Sequence, residues 1–156
     1  GAIASGGVRV INSNVVQALH ISQDTISAVA VQEQRELERR VRDYRGDREM
    51  LEIEGRTAIL VDDGLATGAS MWAAVTALRQ LGPKEVVVAV PAASDETCRE
   101  FRDIVDDIVC AITPEPFLAV GFWYHDFSQT TDDEVRELLA RAEREGFGTM
   151  RGERGG

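Results

Sequence analysis

The stretch TAILVDDGLATGAS, residues 57–70, decides the fold class. It opens with a short apolar run of the kind that forms a buried strand, and it ends where a helix is predicted from Ser70 to Leu81. Two adjacent carboxylates, Asp62 and Asp63, and a loop of small residues separate the strand from the helix. A strand that passes through a short loop into a helix is the repeating unit of α/β proteins.

The same pattern recurs toward the C-terminus. EVVVAV (85–90) and DIVCAIT (107–113) are two further apolar runs, and a helix is predicted between them over 95–104. Unbroken runs of Val, Ile and Ala joined by helices are typical of parallel strands covered on both faces. The sequence therefore predicts an α/β fold with a mostly parallel sheet and flanking helices.

Other elements are predicted on either side of this unit. Residues 1–11 contain a Gly-Gly pair between alternating apolar positions, which indicates a hairpin. Helices are predicted over 22–45 and 132–145, and the charged second half of the first is interpreted as a solvated face with i,i+4 ion pairs. We expect one domain over 1–145 and a flexible tail over 146–156.

Composition narrows the class of protein. A chain of 156 residues with 44% hydrophobic and 28% charged residues is of single-domain size and is not typical of disorder. No apolar run is long enough to span a bilayer, and no leader pattern is present. The net charge of −10 argues against nucleic-acid binding, which relies on basic surfaces. We expect a cytoplasmic protein with no membrane or nucleic-acid partner.

The two cysteines indicate no particular kind of site. Cys98 and Cys110 lie 12 residues apart and belong to no CxxC or Cys/His cluster. This spacing suggests neither a metal site nor a disulfide framework. Both are interpreted as small apolar residues of a reducing interior.

The segment after the first strand can be read chemically. Ligands of open α/β sheets bind at the carboxyl ends of strands, where Asp62 and Asp63 fall. Small loop residues and the amides of the next helix suit a phosphate, and two carboxylates suit a neighbouring diol, so a sugar phosphate fits. A purely structural turn remains open. A receiver-like magnesium site is also open, although Lys84, the only lysine, follows a helix instead of a strand.

ILVDDGLATGAS (59–70) closely resembles the phosphoribosyl-diphosphate signature of type I phosphoribosyltransferases. RELERRVRDYR, VVVAVPAA and TPEPFLAVGFWYHDFSQTTDDEV look like one bacterial branch of that family with unassigned acceptor specificity, and the resemblance covers about residues 1–140. It implies a Rossmann-like core that moves a phosphoribosyl group from phosphoribosyl diphosphate to a nitrogenous acceptor and releases diphosphate. Mg²⁺ is expected on the substrate, without direct protein ligands.

The resemblance also implies residue roles. Asp62 and Asp63 would be the catalytic pair that holds the ribose 2- and 3-hydroxyls. The 5-phosphate would be cradled, largely by main-chain amides, by Ala66, Thr67, Gly68, Ala69 and Ser70. The 6-oxopurine enzymes of the family carry an acidic residue where this chain has Ala66, which argues against hypoxanthine-guanine activity. The branch's glycine-rich diphosphate loop has no match, so the chain is expected to lack the usual N-terminal portion.

An aromatic segment follows the last strand. Phe122, Trp123 and Tyr124 are candidate contacts to an acceptor base, since the segment is similar in placement to a purine-contacting region of some family members. Aromatic clusters are more often core or interface, so capping of the sheet or a contact between two copies is the favoured alternative. A homodimer is expected.

Two questions of function stay open from the sequence. The chain is interpreted as an enzyme, and the alternative is a sugar-phosphate-binding regulator or a truncated relic without turnover. A closing arginine lid is a family feature for which Arg39, Arg40, Arg42 and Arg45 are the candidates, against the solvated-helix interpretation of the same segment.

Overall fold

The computed structural model describes residues 1–4, 7–46 and 51–145. In chain order the elements are β1 (Ala2–Ile3), β2 (Arg9–Val10), α1 (Ser13–Ala18), α2 (Gln23–Arg45), β3 (Thr57–Val61), α3 (Ala69–Arg79), β4 (Glu85–Ala92), α4 (Asp95–Arg102), β5 (Asp107–Ile112), a 3-10 turn (Val120–Trp123) and α5 (Asp132–Arg144). The predicted strands and long helices are thus present within a few residues of their predicted ends. Helix α1 and the 3-10 turn were not predicted, and the predicted tail lies outside the described residues.

Strands β3, β4 and β5 form one parallel sheet in that order. Ile59 lies opposite Val87, and Ala89 lies opposite Val109. The prediction of an α/β fold with a parallel sheet and flanking helices is confirmed. Strands β1 and β2 pair antiparallel as a separate small hairpin, as the Gly-Gly signal indicated.

The hydrophobic core lies on one face of this sheet. Val86, Val88 and Val90 are buried there, in one cluster with Met71 of α3 and Phe101 of α4. The alternation along β4 selects this face, because successive strand side chains point to opposite sides. The core therefore fixes α3 and α4 against the sheet in which β3 leads to the two carboxylates.

The opposite sheet face is open in the part of the chain that the structure describes. Ile59 is 64% exposed, Val61 75% and Val109 53%. The expectation of strands covered on both faces is therefore wrong for the described residues. The strands lie side by side in the order β3, β4, β5. Right-handed crossovers therefore place the two connecting helices, α3 and α4, on the same face of the sheet. Helices α2 and α5 contact each other instead of the open face.

Cys98 and Cys110 are joined by a disulfide, so their interpretation as unpaired small apolar residues of a reducing interior is wrong. Cys98 is buried on the inner side of α4. Cys110 lies opposite Val90 on β5, on the sheet face that α4 covers. The sequence shows the spacing of the cysteines, but their meeting depends on which face of the strand the helix packs against.

Helix α2 is the longest described helix, with 23 residues, and it begins at the Ser22 cap and ends at Gly46. Its charged half carries ion pairs, as the sequence indicated. Within the described ranges, every helix is too short or too polar to cross a bilayer.

Candidate functional site

Asp62 and Asp63 follow β3 at the carboxyl end of the sheet, as predicted. The Asp63 amide donates to Asp62 Oδ1 at 2.9 Å, so the two side chains share one turn. Partial burial, and then the neighbouring negative charge of Asp62, raises the pKa of the Asp63 carboxyl above its usual range. Two carboxylates held this closely favour a ligand that donates hydrogen bonds or carries positive charge.

The loop after the carboxylates is attached to the sheet. The Leu65 amide donates to the Ala92 carbonyl oxygen at 2.9 Å, and Leu65 bridges Ala93 in parallel beyond the end of β4. Leu65 itself is only 2% exposed. At Gly64 a Cβ atom would lie 2.7 Å from both the Ala92 oxygen and Val120 Cγ1, so a side chain does not fit there. The start of the loop is thus fixed by backbone pairing and close packing.

Gly68 ends the loop and serves as the N-cap of α3. Its φ of +66° lies in the left-handed region, and a Cβ there would lie 2.5 Å from Phe101 Cε2. The Trp72 amide donates to the Gly68 carbonyl at 2.8 Å, which closes the first helical turn. The first amides of a helix, here those of Ala69 and Ser70, have no acceptor within the helix, and glycine offers no side chain to cap them. This end of α3 is therefore suited to an anion.

Helix α4 contacts the loop through Thr97. The Thr97 hydroxyl donates to the Ala66 carbonyl oxygen at 3.0 Å and accepts from Ser94 Oγ at 2.8 Å. Thr97 is the one buried polar residue among the described positions, at 7% exposure. The sequence analysis did not identify Thr97. Its spacing from Ser94 signals a helix cap, but a contact across 31 residues has no local signal.

The aromatic segment reaches the carboxylates through Tyr124. Its hydroxyl donates to the Asp63 carbonyl oxygen at 2.6 Å. Burial, together with the charges of Asp63 and Asp62, raises the pKa of Tyr124. Phe122 and Trp123 lie in the adjoining 3-10 turn and are 73% and 42% exposed. The structure brings this segment to the carboxylate turn, and the role of its rings as base contacts stays a prediction.

The arginines of α2 are engaged within the helix and with α5. Arg40 Nε lies 2.8 Å from a Glu36 carboxylate oxygen, and Arg39 contacts both Glu36 and Asp132. These two arginines lower the pKa of Glu36 to about 2. Arg42 and Arg45 lie in the last turn of α2. The geometry favours the solvated, ion-paired face over a closing lid.

A cavity of about 780 Å³ adjoins the loop. It lies between the β1–β2 hairpin, α2 and the start of α3, and most of its lining is apolar, including Ile3, Val10 and Ile26. Thr67 and Ser70 of the loop also line it. Three of the five predicted phosphate-binding residues, Thr67, Ala69 and Ser70, therefore line a space large enough for a small molecule, whereas Asp62 and Asp63 are not among its lining residues.

Together, these features define an α/β domain with a carboxylate pair and a loop of small residues at the carboxyl end of a parallel sheet. Residues 2–122 match the phosphoribosyl transferase domain family. The chain therefore belongs to that family.

Similar proteins agree with this membership. The chain is 43% identical over 145 residues to "Putative phosphoribosyl transferase MT0597" and to "Putative phosphoribosyl transferase Rv0571c", both from Mycobacterium tuberculosis. The crystal structure of TT1426 from Thermus thermophilus superimposes with a TM-score of 0.67 at 36% identity and covers 85% of this chain. The matches to the M. tuberculosis proteins span 93% of this chain but only 33% of those proteins. The match to the T. thermophilus protein spans 62% of that chain.

Proposed function

We propose that this protein transfers a 5-phosphoribosyl group from phosphoribosyl diphosphate to a nitrogenous, nucleobase-like acceptor and releases diphosphate. The observation that supports the proposal is the loop from Asp62 to Gly68, which begins with two carboxylates and leads into the uncapped start of α3. Membership of the phosphoribosyl transferase family supports the class of reaction.

The 5-phosphate would bind at the start of α3. The amides of Ala69 and Ser70 point along the helix axis, and the helix dipole favours negative charge at this end. Thr67 and Ser70 add hydroxyl donors, and both face the adjoining cavity. Ala66 and Gly68 keep the loop free of bulky side chains, so the backbone can approach the phosphate closely.

The ribose would bind to Asp62 and Asp63. Two adjacent hydroxyls can donate to the carboxylates, and such charge-assisted hydrogen bonds are among the stronger ones in proteins. Repulsion and partial burial make the paired negative charge unfavourable in the free protein, which is why the pKa of Asp63 is raised. A ribosyl centre that becomes positive in the transition state would relieve this repulsion, so the pair would stabilise that state more than the ground state.

In the reaction, the bond from ribose C1 to the diphosphate oxygen breaks and a bond from C1 to the acceptor nitrogen forms. The electron pair of the broken bond leaves with diphosphate, and the proton of the acceptor nitrogen is lost to solvent or to the leaving group. Mg²⁺ bound to diphosphate would neutralise the leaving charge. We propose that its ligands come from substrate and water, as Mg²⁺ on a diphosphate usually keeps several waters.

The acceptor would bind near the exposed rings of Phe122 and Trp123, whose flat faces can stack on a planar base. Tyr124 has a different task, since its hydroxyl is bonded to the Asp63 carbonyl. A contact between two copies of the chain is the alternative use of the exposed rings. Ala66 offers no carboxylate to an acceptor, in keeping with the argument against hypoxanthine-guanine activity.

The second candidate is a sugar-phosphate-binding regulator without turnover. It is favoured by one observation: the candidate arginines for closure over a diphosphate, Arg39 and Arg40, are paired with Glu36 in α2. Both candidates require the phosphate loop and the carboxylates, and they differ only in the release of diphosphate.

Diphosphate release from phosphoribosyl diphosphate, measured with a panel of nucleobases and Mg²⁺, tests the proposal. We expect release with at least one acceptor, and its loss in Asp62→Asn/Asp63→Asn. Asp103→Asn is the matched control, because Asp103 follows α4 at the opposite end of the sheet. Tight binding of ribose 5-phosphate without release would favour the regulator, and no binding would overturn both.

A further inference from the structure

We infer that α4 and the Cys98–Cys110 disulfide form a redox-sensitive brace for the loop that follows Asp63. The oxidised form would hold the loop in its binding conformation, and reduction would loosen it. That this controls ligand binding rests on the proposed function. The brace itself rests on contacts among the described residues.

Helix α4 touches the loop at two points. Thr97 donates its hydroxyl to the Ala66 carbonyl at 3.0 Å, which fixes the middle of the loop. The Phe101 ring fills the space beside Gly68, where even a Cβ atom would be only 2.5 Å from the ring. The same ring lies edge-on to Trp72 in α3, with centroids 6.1 Å apart. A shift of α4 would therefore move both the loop and the start of α3.

The disulfide sits between these two points. Cys98 directly follows Thr97 and lies one turn before Phe101, and its bond to Cys110 ties this part of α4 to β5. Helix α4 has only eight residues, and a helix of this length is not stable without its tertiary contacts. The covalent tie thus holds a short helix whose inner side supports the phosphate loop.

The redox step is a thiol–disulfide exchange with a dithiol. One thiolate of the dithiol attacks Cys110 Sγ, because Cys110 is partly exposed whereas Cys98 is only 2% exposed. The Cys98 sulfur leaves with the electron pair and takes up a proton. The second thiol of the dithiol then releases Cys110, so two electrons and two protons pass to the protein. A disulfide oxidant reverses the step.

The brace is tested by hydrogen exchange on the full chain, oxidised and in excess dithiothreitol. We expect the Leu65 amide, which is bonded to Ala92, to exchange roughly two- to tenfold faster after reduction, the range that one net hydrogen bond contributes. The Val88 amide in β4 reports global unfolding, which the loss of a disulfide also favours. Exchange at Leu65 that is faster than at Val88 in both states therefore identifies a local opening of the loop. Equal exchange at Leu65 in the two states, or free thiols by mass spectrometry after oxidation, would overturn the inference.

Three variants separate the brace from a general loss of stability. Cys110→Ala should match the reduced protein and show no response to dithiothreitol. Thr97→Val should speed exchange in the loop while the disulfide stays intact. Thr97→Ser keeps the hydroxyl and should restore slow exchange. Rapid exchange in Thr97→Ser, equal to that in Thr97→Val, would contradict a role for the hydroxyl.

Calorimetric titration with ribose 5-phosphate separates this inference from the proposed function. We expect affinity roughly two- to tenfold weaker in the reduced protein. Equal affinity in both states would overturn the inference and leave the proposed function standing. If ribose 5-phosphate binds in neither state, the proposed function fails, and the exchange data alone then decide whether the brace exists.

Discussion

The Tyr124 hydroxyl donates a hydrogen bond of 2.6 Å to the carbonyl oxygen of Asp63, across 61 residues of sequence. It joins the segment after β5 to the turn that carries both carboxylates. Because the Asp63 carbonyl is fixed, the peptide between the carboxylates and the phosphate loop has one orientation. The exposed aromatic segment and the acidic turn therefore act as one unit.

Tyr124→Phe removes the hydrogen bond to the Asp63 carbonyl and keeps the aromatic ring. We expect a loss of about 0.5–1.5 kcal/mol in the free energy of unfolding, since one hydrogen bond is lost and the Asp63 carbonyl can turn toward water. Denaturant unfolding measures the stability, and calorimetry should show weaker binding of ribose 5-phosphate. An affinity equal to that of the wild type would contradict a role for Tyr124 in positioning the carboxylates.

Phe122→Ala is the matched variant on the same segment. Phe122 is 73% exposed, so its removal should change stability by no more than about 0.5 kcal/mol. If its ring stacks on the acceptor, the KM for the acceptor rises while the affinity for ribose 5-phosphate is unchanged. An unchanged KM together with a loss of dimer in sedimentation would instead assign the ring to a contact between copies.

Gly68→Ala should damage the phosphate loop for two reasons. The φ of +66° is strained for alanine, and its Cβ would meet the Phe101 ring. Gly82→Ala is a close control, because Gly82 also has a φ of +66° but its nearest neighbour, Glu54 Cγ, is 3.6 Å away. We expect Gly82→Ala to cost about 1 kcal/mol and Gly68→Ala more, within about 1–3 kcal/mol. Only Gly68→Ala should abolish binding of ribose 5-phosphate; retained binding would show that the loop tolerates a shift.

The sequence predicted those features that depend on neighbouring residues. The strands follow from unbroken apolar runs, and the start of α3 follows from the small residues before Ser70. The placement of Asp62 and Asp63 at the carboxyl end of a strand needed no tertiary information. These features were sufficient to predict the fold class and to locate the candidate site.

The features that escaped prediction depend on which faces meet in space. The Cys98–Cys110 disulfide requires both residues to lie between α4 and β5, and the hydrogen bond from Thr97 to Ala66 joins α4 to the loop after β3. Hydrophobic runs in β3 and β5 look alike whether one face is covered or two. The exposed Val61 therefore could not be distinguished from a core residue by its sequence.

The raised pKa of Asp63 makes a prediction about pH. A carboxyl whose pKa is higher in the folded protein binds its proton more tightly there, so the free energy of unfolding decreases as pH rises from the ordinary value of 3.8 through the raised pKa. Asp63→Asn should therefore be more stable than the wild type at pH 7, and this gain should disappear below pH 3.8. The variant should also bind ribose 5-phosphate more weakly. Denaturant unfolding at several pH values measures the first effect, and a variant less stable at pH 7 would contradict it.

Glu36 makes a second prediction about pH, on the ion-paired face of α2. Its sign is opposite to that for Asp63, because the pKa of Glu36 is lowered. Arg39 and Arg40 lower its pKa to about 2, so the stability that Glu36 contributes is complete above its ordinary pKa of 4.5 and is lost as pH falls from 4.5 toward 2. Glu36→Gln should lower the Tm at pH 7 and remove part of the decline in Tm over that interval. Glu137→Gln, on the exposed side of α5, is the control and should change neither. If the side chains of Arg39 and Arg40 instead release Glu36 to close over a ligand, Glu36→Gln should strengthen binding of phosphoribosyl diphosphate. If they stay paired on the helix face, the affinity should be unchanged.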